Sequence, residues 1–200
     1  MRAPELVRPL VLRHTAAMTS SDGESSAGFV RKIPEGEDQE RLVCETCGFI
    51  AYENPKIVVG SVASWDDRIL LCRRAIEPRK GYWTLPAGYL EQHETAVQGA
   101  KREAWEEARA ELAIDQLLAV YSIPRISQIQ LIFRAKLVSA AVEPGPETEV
   151  LDLFAWDKIP WEELAFPSVH WALHHYDEVR DQSTFAPRHN PAGELGDFKA

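Results

Sequence analysis

The stretch from Gly88 to Arg109, GYLEQHETAVQGAKREAWEEAR, constrains this chain more than any other. Its second half, Ala96 to Ala108, is rich in Ala, Glu, Lys, Arg and Gln, with no proline and one glycine, so a helix is expected. At about 100° per residue, Glu103, Glu106 and Glu107 fall in one narrow sector of that helix. Like charges at this spacing are mildly destabilising, and a merely solvated face would intersperse lysines among them. The sector carries no such relief, and Gly99, one turn back, is expected to leave open space beside it. Hard oxygen ligands converging on a gap suit Mg²⁺ or Mn²⁺.

The loop before the helix extends the pattern. Gly88 is followed after five residues by Glu94, after seven more by Arg102-Glu103, and then by Glu106-Glu107. This spacing resembles the Nudix box, Gly-x5-Glu-x7-Arg-Glu-U-x-Glu-Glu-x-Gly-U, in which U is aliphatic. One position departs: Arg109 stands where the box has its second glycine, at a helix C-terminus where a positive φ is often needed. The departure bears on the helix exit and not on the metal ligands, and a cation suits that end of the helix dipole.

Composition sets the bounds. Two hundred residues with 45% hydrophobic side chains suit one domain with short appendages. No apolar run approaches the roughly 18 residues of a membrane span, so no membrane partner is expected. A formal net charge of -9 argues against a general nucleic-acid-binding surface. Three cysteines, Cys44, Cys47 and Cys72, make no even disulfide framework and suit a reducing compartment. The expected location is the cytoplasm. Arg2, Arg8 and Arg13 and the serines after them also suit an organelle transit peptide, against an unstructured leader over residues 1–28.

Residues 29–55 contain Cys44-Glu-Thr-Cys47-Gly48, a two-thiolate knuckle of the kind that supplies half of a zinc ribbon. A structural zinc site needs four ligands and no second thiol pair precedes this one, so a degenerate ribbon is expected and zinc is not. From Lys56 the pattern becomes that of a catalytic domain, residues 56–180. Ile57–Trp65 and Arg68–Cys72 read as a hairpin about Asp66-Asp67. Trp83 to Gly88 reads as a short strand leading into the loop. Strand patterns recur over Glu111–Ile123, Ile129–Leu137 and Val150–Trp156, the middle one alternating. Ser168 is the expected cap of a helix running through Arg180. Residues 181–200 are expected to form a flexible tail. Strands, a long helix, more strands and a final helix make an α+β fold, an α/β/α sandwich. The resemblance implies a mixed sheet between helices, with the box as loop-helix-loop at the sheet's end.

The chemistry follows from the charges. Divalent metals neutralise a diphosphate, orient it and lower the pKa of bound water. Glu103, Glu106 and Glu107 are the expected metal ligands, with the Gly88 carbonyl as a further one. Glu94 and Arg102 read as a structural pair bracing the loop against the helix. The base that activates water is either a box glutamate or a carboxylate from a distant loop, where Glu147 and Glu149 stand; Glu149 is taken with the three box acids as the catalytic set. Arg73, Arg74 and Arg79 suit substrate oxygens or solvent. Trp83 suits a nucleobase or the core.

The phrases IPEGEDQ, NPKIVVG, LCRRAIEPRKGYWTLPAGYLE and PGPE are similar to a zinc-ribbon-leader group of Nudix hydrolases that cleave ADP-ribose and FAD. That resemblance implies a Mg²⁺-dependent pyrophosphohydrolase releasing AMP from a small-molecule nucleotide. NADH pyrophosphatases carry a similar leader, but their Ser-Gln-Pro-Trp-Pro-Phe-Pro signature is replaced here by Val120-Tyr-Ser-Ile-Pro-Arg125. A Nudix-fold sensor that binds without cleaving is the alternative of another class, and a homodimer is the ordinary expectation for such an enzyme.

Overall fold

The computed structural model describes residues 28–198, which divide into two units at Glu53/Asn54. The expected leader lies almost wholly outside the described residues. The first unit is a small antiparallel sheet of β1 (Phe29–Lys32), β2 (Arg41–Cys44) and β3 (Ile50–Ala51), in the order β1-β2-β3. Its turn closes through Gly48 N–H to the Cys44 carbonyl at 2.9 Å, with Gly48 at φ +74°. Glycine takes that left-handed conformation without a Cβ clash.

The second unit is built on a seven-stranded mixed sheet. Its main path runs β10-β5-β4-β9-β8, with β4 (Lys56–Trp65), β5 (Arg68–Arg74), β8 (Leu112–Ile123), β9 (Gln128–Leu137) and β10 (Thr148–Ala155). Two short strands attach to it: β6 (Trp83–Thr84) pairs with β5 and β7 (Ala87–Tyr89) with β4. β4 and β9 run parallel, Lys56 opposite Gln128 through Ser64 opposite Lys136; the other pairs are antiparallel.

Period-two alternation distributes the core to both faces. Val62, Ile69, Leu71, Leu118, Tyr121 and Ile132 pack with α2 (Pro167–Val179), through Val169, Ala172, Leu173, Tyr176 and Val179. Their neighbours Ala63, Leu70, Cys72 and Ala135 turn the other way onto Ala104 and Ala108 of α1 (Ala96–Ala108). The sheet therefore lies between two helices, the expected α/β/α sandwich.

Local chemistry sets the helix ends. Thr95 starts α1 through a capping box: the Gln98 N–H donates to Thr95 Oγ1 at 3.2 Å, and the Thr95 N–H donates to Gln98 Oε1 at 2.8 Å. α2 is capped by Phe166 with Pro167 in its first turn, not by Ser168 as the sequence suggested. Proline fits that turn because its missing N–H would have had no helical partner. At the far end of α2, Arg134 of β9 donates to the Val179 carbonyl at 2.6 Å and the Gln182 carbonyl at 2.8 Å, while its Nε donates to Asp115 at 2.7 Å. This buried guanidinium satisfies the last carbonyl of α2 and one in the turn that follows it.

Residues beyond α2 differ from the expected loose tail. The Val120 N–H donates to the Arg188 carbonyl at 2.9 Å and the Arg188 N–H to the Leu118 carbonyl at 2.8 Å, joining the segment to β8. Asn190 exchanges two bonds of 2.8 Å with the Ser122 backbone. Polar and glycine-rich composition suggested flexibility, but these backbone bonds make the segment a strap along the sheet.

Candidate active site

α1, β7 and the loop before β10 meet at one end of the sheet and form the wall of a cleft of about 940 Å³. Glu103 and Glu107 lie on the buried side of α1, each only 8% exposed, while Glu106 stands at its rim. Burial pushes the Glu107 carboxyl up to about 8, with the Glu103 charge adding to it, and burial likewise raises Glu103. Glu107 accepts from the Ala87 N–H at 3.3 Å. Buried acids held near a like charge are short of a cation.

The expectation that no cation relieves these acids does not hold. Arg102 Nη1 donates to Glu103 at 2.7 Å and to Glu106 at 2.9 Å, and its other nitrogens donate to Glu94 at 2.8 and 3.1 Å and to the Tyr89 carbonyl at 2.9 Å. Arg102 stands one turn before Glu106 on the same face, an i,i+4 pair, and its long stem lets the same guanidinium reach Glu103 as well. The guanidinium holds Glu94 below the usual carboxylate range, and the pair ties the loop to the helix. Gly99 also differs from expectation: it faces no open space. A Cβ there would meet Glu94 at 2.8 Å, Val59 at 2.8 Å and Leu90 at 2.9 Å, so the glycine admits the Glu94 brace and the sheet.

Gly88 has a related role at the ligand side. A Cβ on it would meet the Glu103 carboxylate, so a larger residue there would displace that acid's side chain. Arg109, in the position of the box's second glycine, adopts φ +51° and ψ +26°. Its N–H closes α1 on the Ala104 and Trp105 carbonyls, so the left-handed exit is made despite the side chain.

The loop after β9 completes the wall. The Glu143 N–H donates to the Ala108 carbonyl and the Gly145 N–H to the Glu107 carbonyl, both at 2.9 Å. These bonds occupy terminal carbonyls of α1 and carry Pro146 and Glu147 into the cleft lining. The Glu147 charge is felt at both Glu103 and Glu107. Glu149 is placed elsewhere: its carboxylate lies 4.0 Å from Arg73 Nε, outside the cleft lining. A register shift between Thr148 and Val150 intervenes, and two residues along a strand edge changed which acid faces the cleft.

The basic residues separate in the same way. Arg74 lines the cleft; Arg73 instead donates to the Gly81 carbonyl at 2.7 Å. Arg79 donates to the Ala165 carbonyl at 3.1 Å and sits over the Tyr82 ring. Trp83 packs edge-on to Phe154 at 4.9 Å against the α2-side core and does not line the cleft. Of the residues proposed for substrate, Arg74 alone forms part of the cleft wall. Phe166, Arg125 and Phe198 of that wall were not recognised in the sequence. Only Phe166, the residue before the proline that opens α2, gave any local sign.

The fold and the site define a hydrolase of the Nudix class, an acid-rich loop-helix-loop set on the edge of a mixed sheet. The chain belongs to the Nudix family: residues 55–179 match the NUDIX domain, and residues 26–53 match the family described as Nudix N-terminal, a zinc ribbon. It is similar to the crystal structure of a NUDIX hydrolase from Nitrosomonas europaea, with a TM-score of 0.76 and 45% identity over 81% of this chain and 93% of that one. It is 30% identical to an ADP-ribose pyrophosphatase of Methanocaldococcus jannaschii over 58% of this chain and 69% of that protein. It is also 30% identical to the NAD-capped RNA hydrolase NudC of Pseudomonas aeruginosa over 63% of this chain, spanning 46% of the relative.

The family implies a divalent cation, and the donor chemistry fits one. Glu107 is buried with an amide N–H and no arginine bonded to it, beside Glu103, in a set of carboxylate oxygens. Among the described residues no three donors already converge as a metal cluster; Arg102 bridges Glu103 and Glu106 in that place. A zinc ribbon fits less well. The Cys47 and Thr46 N–H groups hold the Cys44 thiol below its ordinary value, as a knuckle does. The third cysteine, Cys72, is buried in β5 of the other unit, so two thiols are all the first unit has.

Proposed function

We propose that the protein is a Mg²⁺-dependent pyrophosphohydrolase that cleaves the diphosphate of a nucleoside diphosphate derivative, ADP-ribose or FAD foremost, and releases AMP. The observation that carries this reading is that Glu103, Glu106, Glu107 and Glu147 all line one cleft, whose wall also holds Arg74. Mg²⁺ or Mn²⁺ held by Glu103, Glu106, Glu107 and the Gly88 carbonyl would neutralise the diphosphate and acidify water.

The chain's own groups supply the rest. Arg74 orients phosphate oxygens through its planar donors. Glu147 accepts the proton of the attacking water, because it faces the acids from a loop outside their helix; Glu149, turned to Arg73, does not serve. The water oxygen bonds to phosphorus as the anhydride P–O bond breaks, and the second phosphate leaves with the electron pair. With ADP-ribose the products are AMP and ribose 5-phosphate. Arg102 and Glu94 keep the loop on the helix throughout.

The similarity to NudC favours NADH as the second substrate to test. Purified protein with Mg²⁺ is assayed against ADP-ribose, FAD, NADH and a dinucleoside polyphosphate, with product identification. AMP from ADP-ribose or FAD at the highest kcat/KM supports the reading; turnover of none of the four contradicts it.

A further inference from the structure

The strap that follows α2 does more than cover β8. It is fixed by Arg188 to Leu118 and Val120, and by Asn190 to Ser122. It then passes Gly196, whose φ is +84° and where a Cβ would meet Ile123 Cδ1 at 2.6 Å, so the backbone lies directly on the end of β8. Asp197 pairs with Arg125 at 3.2 Å. These anchors deliver Phe198 into the lining of the same cleft that holds the glutamates.

Phe198 is 48% exposed, unusual for a phenylalanine held by so many fixed neighbours. Its ring lies 6.4 Å from that of Phe166, tilted by 45°, so the pair does not close into a stack. Guanidinium groups surround them: Arg74 lies 5.3 Å from the Phe166 ring, and Arg79 and Arg125 lie 5.0 and 6.0 Å from the Phe198 ring. The wall thus presents exposed aromatic and planar cationic surface in the same cleft as the acids. Such surface takes a flat π-system by stacking and by cation–π attraction, without reading its edge.

We propose that Phe166, Phe198 and Arg125 form the subsite for the nucleobase half of the substrate, and that the C-terminal strap places Phe198 there as a residue that sets nucleotide affinity. This rests on the hydrolase reading above only in assigning the rest of the ligand. A nucleobase between these groups holds the diphosphate toward the glutamates, and tolerance among bases follows from stacking.

The test uses the full chain and its variants Phe198→Ala and Phe198→Trp, with folding checked by thermal melts. Two measurements are made: AMP binding by calorimetry, and the KM and kcat for ADP-ribose with Mg²⁺. Phe198→Ala is expected to raise the AMP Kd and the KM by the same factor, about tenfold, with the loss falling on KM and not on kcat. Phe198→Trp is expected to restore both. An unchanged Kd and KM in Phe198→Ala, or no AMP binding by the wild type, overturns the subsite. If AMP binds and Phe198→Ala weakens it while no nucleotide is hydrolysed, the subsite stands and the hydrolase reading fails.

Discussion

The backbone N–H of Gly145 donates to the carbonyl of Glu107 at 2.9 Å, joining the loop that carries Glu147 to the helix that carries the buried acids. A Cβ on Gly145 would run into the Glu106 carbonyl, so this close approach is open only to glycine. Gly145→Ala is expected to cost about 1–3 kcal/mol through overpacking against rigid backbone. It should also lower kcat by displacing Glu147. Urea melts and initial rates measure the two effects; a variant with wild-type stability and kcat would show that the contact positions nothing.

Glu147 and Glu149 separate by chemistry as they do by position. Glu147→Gln should lower kcat by about 10²–10⁴-fold, the range for a positioned general base. Glu149→Gln loses a partly exposed contact with Arg73 and should stay within a fewfold of wild type. Steady-state rates at saturating Mg²⁺ decide between them, and the reverse order would make Glu149 the base.

The raised carboxyl groups of Glu103 and Glu107 make stability fall with pH. A group whose folded pKa lies above its unfolded value favours the fold in its protonated form. That stability is fully present below the unfolded value near 4.3, and is lost as pH rises towards about 8, the folded value of Glu107. The melting temperature of metal-free protein should therefore decline across this window. Mg²⁺ should restore more of it at the alkaline end, where the carboxylates are ionised. Glu107→Gln should flatten the decline. A melting temperature that rises from pH 5 to pH 8 without metal would exclude this account of the buried acids.

Arg109 holds φ +51°, a conformation that costs an L-residue with a side chain roughly 1–2 kcal/mol. Arg109→Gly removes that strain but frees the unfolded chain and loses the contact with the Trp105 carbonyl at 3.2 Å. The net expectation is a gain of about 0.5 kcal/mol. Denaturant titration checks it, and a loss of stability would mean the side chain's contacts outweigh the strain.

Regular repetition made much of this fold readable. The β4–β5 hairpin about Asp66-Asp67, the alternation in β9 and the bounds of α1 all follow local periodicity. The box spacing placed four acids and one arginine on a shared loop and helix. What was not readable depends on reach and register. Arg102 stands at i,i+4 from Glu106, a pair that helical spacing allows, but only the reach of its stem brings the same guanidinium to Glu103 as well. Glu147 and Glu149 differ in the sequence by two places, and only the bulge beside Val150 and the Gly145 contact tell them apart. Trp83 and Phe198 show the same limit from opposite sides. The tryptophan beside the box is taken up by Phe154, whereas the phenylalanine of the final residues is brought to the cleft by backbone bonds that composition does not reveal.

The proposed role of Glu103, Glu106 and Glu107, a metal-dependent site for phosphoanhydride hydrolysis, is decided by the rate of AMP release from ADP-ribose, in Mg²⁺ and in EDTA, for wild type, Glu106→Gln and Glu107→Gln. Release is expected from the wild type in Mg²⁺ alone, with rates lower by orders of magnitude in both variants and melting temperatures equal to or above wild type. Undiminished release in both variants, or release that persists in EDTA, would contradict it.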